Sequence, residues 1–270
     1  MVAFWRLGIL DSLSEEDVVL SQALEGHIAV VTGASKGLGR QMAESLAAGG
    51  AAVALLARNS ELLDKVAAGI HEKGGTAEVI VADVHDEGSV LEAAQQVKDR
   101  LGVCDILINN AGINNRKSIE DFTLAEWNEI LGVNLTGPFL CSRAFVPGMK
   151  TKKWGRIINM TSIMTHISLP NRTGYSTTKA GLLGFTKALA LELAPHGVTV
   201  NGISPGPFAT EMNKPLIEDP EKNKMFLERI PLGRWGKVKE IGALAAYLCS
   251  EDAAFITGTD IVIDGGWIAQ

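Results

Sequence analysis

Seven apolar runs, most of them rich in β-branched residues, alternate with segments of helical spacing along this chain. That alternation limits the fold more than any other feature. The runs are HIAVVTG (27–33), AAVALLA (51–57), AEVIVADV (77–84), CDILINNAG (104–112), GRIINMTS (155–162), VTVNGISPG (198–206) and TDIVIDGG (259–266). Helical spacing fills 38–49, 60–73, 87–100, 124–150, about 174–195 and 237–250. Continuous apolar runs suit parallel strands covered on both faces. The β-α rhythm with short links predicts an α/β fold: a single-domain, Rossmann-like, doubly wound parallel sheet with helices on both faces. A chain of 270 residues fits one large domain of that kind. The stretch 207–236, rich in Pro, Glu and Lys, breaks the rhythm. It reads as a substrate-loop insertion, with a lid and a plain surface loop both open.

Residues 1–22 form an N-terminal extension ahead of the domain at 23–270. It carries Phe4, Trp5 and Leu7, then acidic residues, with a helix expected around 13–23. An arm packed on its own or a neighbouring subunit and a mobile tail are both open.

The formal net charge is −6 and there is no basic run, so nucleic acid is not an expected partner. Cys104, Cys141 and Cys249 are widely spaced in apolar surroundings. They read as reduced core thiols rather than as a disulfide framework or a metal site. No run reaches the roughly 18 apolar residues of a membrane span. MVAFWRLGIL lacks the n-region, h-region and cleavage site of a signal peptide. The expectation is a cytoplasmic protein with no membrane partner.

TGASKGLG (32–39) follows the first strand and opens a helix. Gly33 allows a tight turn, while Gly37 and Gly39 allow backbone and helix to approach a pyrophosphate, whose charge a helix N-terminus favours. The spacing departs from the common G-x-G-x-x-G, but strand before and helix after identify a dinucleotide turn. An NAD site places an acidic residue at the end of the second strand. Here Ala57 stands there, followed by Arg58, with Lys36 inside the glycine turn. Two cations and no carboxylate predict NADP(H) over NAD(H), with Arg58 on the 2′-phosphate. Stacking of Arg58 on adenine, or exposure to solvent, is the alternative.

YSTTK sets Tyr175 and Lys179 four apart on one face of a helix. A phenol of ordinary pKa near ~10 is a poor base at neutral pH. A neighbouring ammonium would favour the phenolate. Ser162 ends the fifth strand, and strand C-terminal ends are where open α/β sheets bind ligands.

With these pieces together, the chain resembles the short-chain dehydrogenase/reductase family from about residue 24 onward. The matching pieces are TGASKGLG, Asp83-Val84, NNAG (109–112), VNLTG (133–137), Ser162, Tyr175-x-x-x-Lys179 and SPGPFATEM (204–212). The resemblance implies that Tyr175 is the general acid in reduction and the base in oxidation. Ser162 would hydrogen-bond the substrate oxygen. Lys179 would bond the nicotinamide ribose and lower the Tyr175 pKa, and Asn134 would hold a relay water. Asp83 and Val84 would flank adenine, and the backbone of NNAG, with Asn110, Ala111 and Gly112, would border the adenosine ribose. Ser35, Lys36 and Leu38 lie in the glycine turn. Pro205, Gly206, Phe208 and Thr210 would meet the carboxamide end of nicotinamide. The resemblance also implies a homotetramer.

The segment 207–236 and the ending DGGWIAQ look like the branch of that family that handles sugar acids, gluconate 5-dehydrogenase and deoxygluconate dehydrogenase among them. Arg116, His166 and Arg172 are the candidates to pair with a substrate carboxylate; ordinary exposed loop positions are the alternative. A 3-oxoacyl-[acyl-carrier-protein] reductase is the runner-up; it would be expected to show a basic patch for an acidic carrier protein, which an overall charge of −6 does not favour. A non-catalytic NADP(H)-binding scaffold or sensor would show a broken catalytic set, and this set is whole.

Overall fold

The computed structural model describes residues 23–270; the 1–22 extension and its expected helix lie outside the described residues. Seven parallel strands form one sheet in the order β3-β2-β1-β4-β5-β6-β7. They are β1 Ile28–Thr32, β2 Ala52–Ala57, β3 Thr76–Val81, β4 Ile106–Asn109, β5 Gly155–Met160, β6 Val198–Pro205 and β7 Asp260–Ile263. Between them run α1 Gly37–Ala48, α2 Ser60–His71, α3 Glu87–Arg100, α4 Leu124–Leu131, α5 Gly137–Lys152, α6 Thr173–Leu193, α7 Lys214–Glu218, α8 Pro220–Leu227 and α9 Val238–Cys249. Strand order reverses between β1 and β4, the switch point at which such sheets open a ligand crevice.

Successive strand residues point to opposite faces, and each face has its own core. Ala29 and Val31 of β1, Val53 and Leu55 of β2, and Ile106 and Ile108 of β4 pack with α1, α2 and α9. The intervening Val30, Ala54, Leu56 and Leu107 pack with α3, α5 and α6. Continuous apolar runs were therefore the correct signature of a doubly covered sheet. Side chains close several helix starts: Asn59 accepts from Leu62 N–H, Asp86 from Ser89 N–H, and Thr123 with Glu126 forms a reciprocal cap on α4.

Two differences from the sequence expectation are local. The region 124–150 is not one helix but α4 and α5 joined by a π-helical turn, Gly132–Thr136. Gly132 is tightly packed there; a Cβ on it would lie 2.3 Å from the His85 ring. The 207–236 stretch carries two short helices, α7 and α8, and Asp219 caps α8 by accepting from Glu221 and Lys222 N–H. Among the described residues no helix is long and apolar enough to cross a membrane. Cys104, Cys141 and Cys249 are free and buried, and burial pushes the thiols of Cys141 and Cys249 up to about 12.

Candidate active site

The loops at the C-terminal ends of β1 to β6 surround one cavity of about 630 Å³. Its nucleotide half begins at the glycine turn. Gly33 (φ +64°) and Gly37 (φ +59°) occupy the left-handed region that favours glycine. Asn110 holds this turn from below: its Nδ2 donates to Thr32 O (2.9 Å) and Gly33 O (3.2 Å), and its N–H to Thr32 Oγ1 (2.9 Å). The Asn110 side chain is thus a brace, and the stretch Asn110–Gly112 reaches the cavity beside it.

α1 starts with no acidic residue in its first turn and no side-chain cap, so its first N–H groups remain open donors at the cavity wall. Lys36 and Arg58 are exposed at the rim, and β2 ends on Ala57. Arg58 Nη1 stands 3.8 Å from Asp83 Oδ2, a long and exposed contact that holds the guanidinium weakly. Open helix donors, two rim cations and no carboxylate at the end of β2 fit a phosphorylated dinucleotide.

The other half of the cavity centres on α6. Tyr175 and Lys179 both face the cavity, with Ser162 opposite at the end of β5. Burial raises the Tyr175 pKa above its ordinary value; a hydrogen bond with Ser162 and the charge of Arg172 oppose that rise. Lys179 is 4 % exposed, its Nζ donates to Met160 O at 2.5 Å, and it stands 5.5 Å from the Tyr175 ring centroid. Burial lowers its own pKa to about 8. Burial is thus the largest effect on the Tyr175 phenol and Arg172 is the cation that opposes it, while the contact of Lys179 is with the Tyr175 ring.

Asn134 sits in the π turn and does not line the cavity. Its Nδ2 donates to Ile113 O (2.9 Å) and Thr178 Oγ1 (3.2 Å), and its Oδ1 accepts from Ile113 N–H (2.8 Å). Both amide donors are engaged, so the side chain anchors the loop after Gly112 and has little left for a relay water.

Of the three residues expected at a substrate carboxylate, Arg116 and Arg172 line the cavity and His166 does not. His166 instead donates from Nε2 to Asp260 Oδ2 at 2.7 Å, held by a strand-end carboxylate that the chain pattern did not reveal. Nη1 of Arg172 is buried with no partner, as is Oδ1 of Asn114 on the same wall. Burial first, and the charge of Arg116 second, push the Arg172 pKa down. Sequence reasoning missed Asn114, Phe226 and Trp267. Phe226, from α8, lies 5.8 Å from Trp267 between ring centroids, and both reach the cavity. An aromatic in a helix with three charged residues, Glu221, Lys222 and Lys224, was the available signal. Among the described residues no cluster of three or more His, Cys, Asp or Glu is placed to hold a metal ion.

Residues 33–268 match a family model described as enoyl-(acyl carrier protein) reductase. Gluconate 5-dehydrogenase of Gluconobacter oxydans (strain 621H) is 36 % identical over 244 residues, covering 90 % of this chain and 95 % of that one. The 3-oxoacyl-[acyl-carrier-protein] reductase FabG of Aquifex aeolicus (strain VF5) is 40 % identical over 244 residues, covering 90 % and 98 %. A solved gluconate 5-dehydrogenase from Burkholderia cenocepacia J2315, in complex with NADP and tartrate, superposes with a TM-score of 0.88 at 33 % identity over 93 % of this chain and 99 % of that one. The chain belongs to the short-chain dehydrogenase/reductase family. It is an oxidoreductase acting on alcohol and ketone groups.

Proposed function

We propose that the protein interconverts a secondary alcohol and a ketone on a sugar acid such as gluconate, using NADP(H). One observation carries the substrate class: the buried, unpartnered Nη1 of Arg172 beside Tyr175. A buried guanidinium donor without an acceptor is costly, and a carboxylate supplies both acceptor and countercharge. Arg116 adds a second cation, and the unpartnered Asn114 Oδ1 asks for a hydroxyl donor. A polyhydroxy acid offers both groups.

NADP(H), when bound, supplies or accepts the hydride. In reduction the Tyr175 phenol, whose pKa burial raises, gives its proton to the nascent alkoxide; in oxidation its phenolate takes the proton of the alcohol. Ser162 donates to the same oxygen where charge develops. Lys179 retains donors for a ribose beyond its bond to Met160 O. Asn134 holds the loop that carries Asn114 and Arg116. In this reading residues 23–270 are one dinucleotide-binding and catalytic domain, and 207–236 covers the substrate through Phe226. A homotetramer and a cytoplasmic setting belong to the same reading, on family likeness.

Gluconate oxidation is expected to exceed acetoacetyl-thioester reduction in steady-state assays. Arg172→Met should lower kcat/KM for gluconate by about 10- to 100-fold, as losing a charge-assisted hydrogen bond does, and change thioester reduction little. Faster thioester turnover, unaffected by Arg172→Met, sinks the sugar-acid reading. The second reading, 3-oxoacyl-[acyl-carrier-protein] reductase, is favoured by the 40 % identity to such an enzyme.

For the cofactor, Arg58→Ala should cut the kcat/KM ratio of NADP to NAD by roughly tenfold, since one arginine–phosphate contact is removed. An unchanged ratio overturns the assignment of Arg58 to the 2′-phosphate.

A further inference from the structure

The contact that removes His166 from the substrate cavity leads to the catalytic serine. Asp260, the first residue of β7, has a side chain only 4 % exposed. Its Oδ1 accepts from Thr161 Oγ1 (2.6 Å); its Oδ2 lies within 2.7 Å of both His166 Nε2 and Ser204 Oγ. Gly202 of β6 makes the room, because a Cβ there would fall 2.3 Å from Asp260 Oδ1. Ser204 Oγ also stands 2.8 Å from the carbonyl oxygen of Ser162, which accepts from Thr165 N–H at 2.8 Å as well.

Ser204 has one hydroxyl proton and three oxygens within reach of it: the Ser162 carbonyl, Asp260 Oδ2 and, at 2.9 Å, Thr161 Oγ1, whose own proton goes to Asp260 Oδ1. Donation from His166 Nε2 to Oδ2, with Thr161 serving Oδ1, satisfies the carboxylate without that proton. The Ser204 proton is then free for the Ser162 carbonyl. Two donors grip that carbonyl, and Ser162 Oγ, which accepts from Met164 N–H at 3.1 Å, keeps its own proton for the cavity. Without His166, the Ser204 hydroxyl turns to the buried carboxylate and the grip on Ser162 halves.

We propose that Asp260 and His166 are positioning residues for Ser162, acting through Ser204. The inference rests on the reading of Ser162 as the donor to the reacting oxygen. His166, 32 % exposed in its side chain, is the member to vary, because it tolerates replacement better than the buried carboxylate.

The test is a double-mutant cycle in the full-length enzyme, assayed with gluconate and NADP and with acetoacetyl-CoA and NADPH. His166→Ala should lower kcat roughly ten- to a hundredfold, the cost of a small misplacement of a reacting group, with KM and NADP affinity little changed. His166→Gln, which keeps a donor near the same place, should restore most of the loss. In a Ser162→Ala background, His166→Ala should add no further loss. Independent of any substrate, hydrogen exchange of the His166→Ala protein should rise at the Thr165 amide. A kcat within twofold of wild type, an undiminished effect in the Ser162→Ala background, or unchanged exchange at Thr165 overturns the proposal. Near-normal turnover by Ser162→Ala alone overturns the catalytic reading beneath it, a result distinct from the other three.

Discussion

Tyr175→Phe should lower turnover about 10²- to 10⁴-fold, the range expected when a positioned general acid is lost, while NADP still binds. The phenol hydrogen-bonds Ser162 and feels the charge of Arg172, the setting on which the proposed proton exchange with substrate rests. Phenylalanine keeps the ring that lies under Lys179 Nζ, so packing and nucleotide binding stay close to wild type. The measurement pairs steady-state rates with NADP affinity from fluorescence titration. Near-normal rates in the variant refute the proton-transfer role. A loss of NADP affinity as large as the loss of rate means that the tyrosine holds the nucleotide rather than running the chemistry.

Gly39→Ala should have the largest effect of any single methyl in the cavity wall. The added Cβ would sit 2.3 Å from the Gly33 carbonyl oxygen and 2.3 Å from Asn110 Nδ2. The first is backbone and the second is pinned by its bonds to Thr32 and Gly33, so neither moves cheaply. Overpacking of this kind costs about 3 kcal/mol or more, which lowers the melting temperature by roughly 6–12 °C in a chain of this size. NADP affinity should fall with it, because the turn and the start of α1 shift together. Gly69→Ala is the control. Gly69 is also helical, in α2, but its Cβ meets nothing within 4 Å. That variant should be more stable by about 0.5–1 kcal/mol from helix propensity alone. Calorimetry of both proteins decides: equal stability of the two variants means the glycine turn is looser than its contacts indicate.

Most of the nucleotide half was legible in the chain because it is built from local signals. A glycine turn, the residue after it and the strand before it lie within a dozen positions, and each has a backbone reason to be what it is. Ala57 followed by Arg58 is the same kind of signal. Tyr175 and Lys179 share a helix face by spacing alone. Three parts were not legible. The backbone of Asn110 reads as a ribose neighbour, and what the chain did not show is that its side chain braces Gly33, an interaction across 77 residues. Asn134 reads as a water holder, but the π turn directs its amide to Ile113 and Thr178. His166 reads as a carboxylate partner for substrate, and the carboxylate it meets is Asp260, 94 residues away.

The sequence by itself determined the sheet, its two covered faces, the dinucleotide turn and the tyrosine–lysine helix. Those follow from periodicity and backbone chemistry, which act over a few residues. Only the tertiary structure decided how the two cations near Tyr175 are held. Lys179, one helical turn away, is held by Met160 O, while Arg172 at the start of α6 carries the unpartnered guanidinium nitrogen. The reason is physical: burial and electrostatics depend on which strand ends converge on a point, and spacing along a chain does not record that.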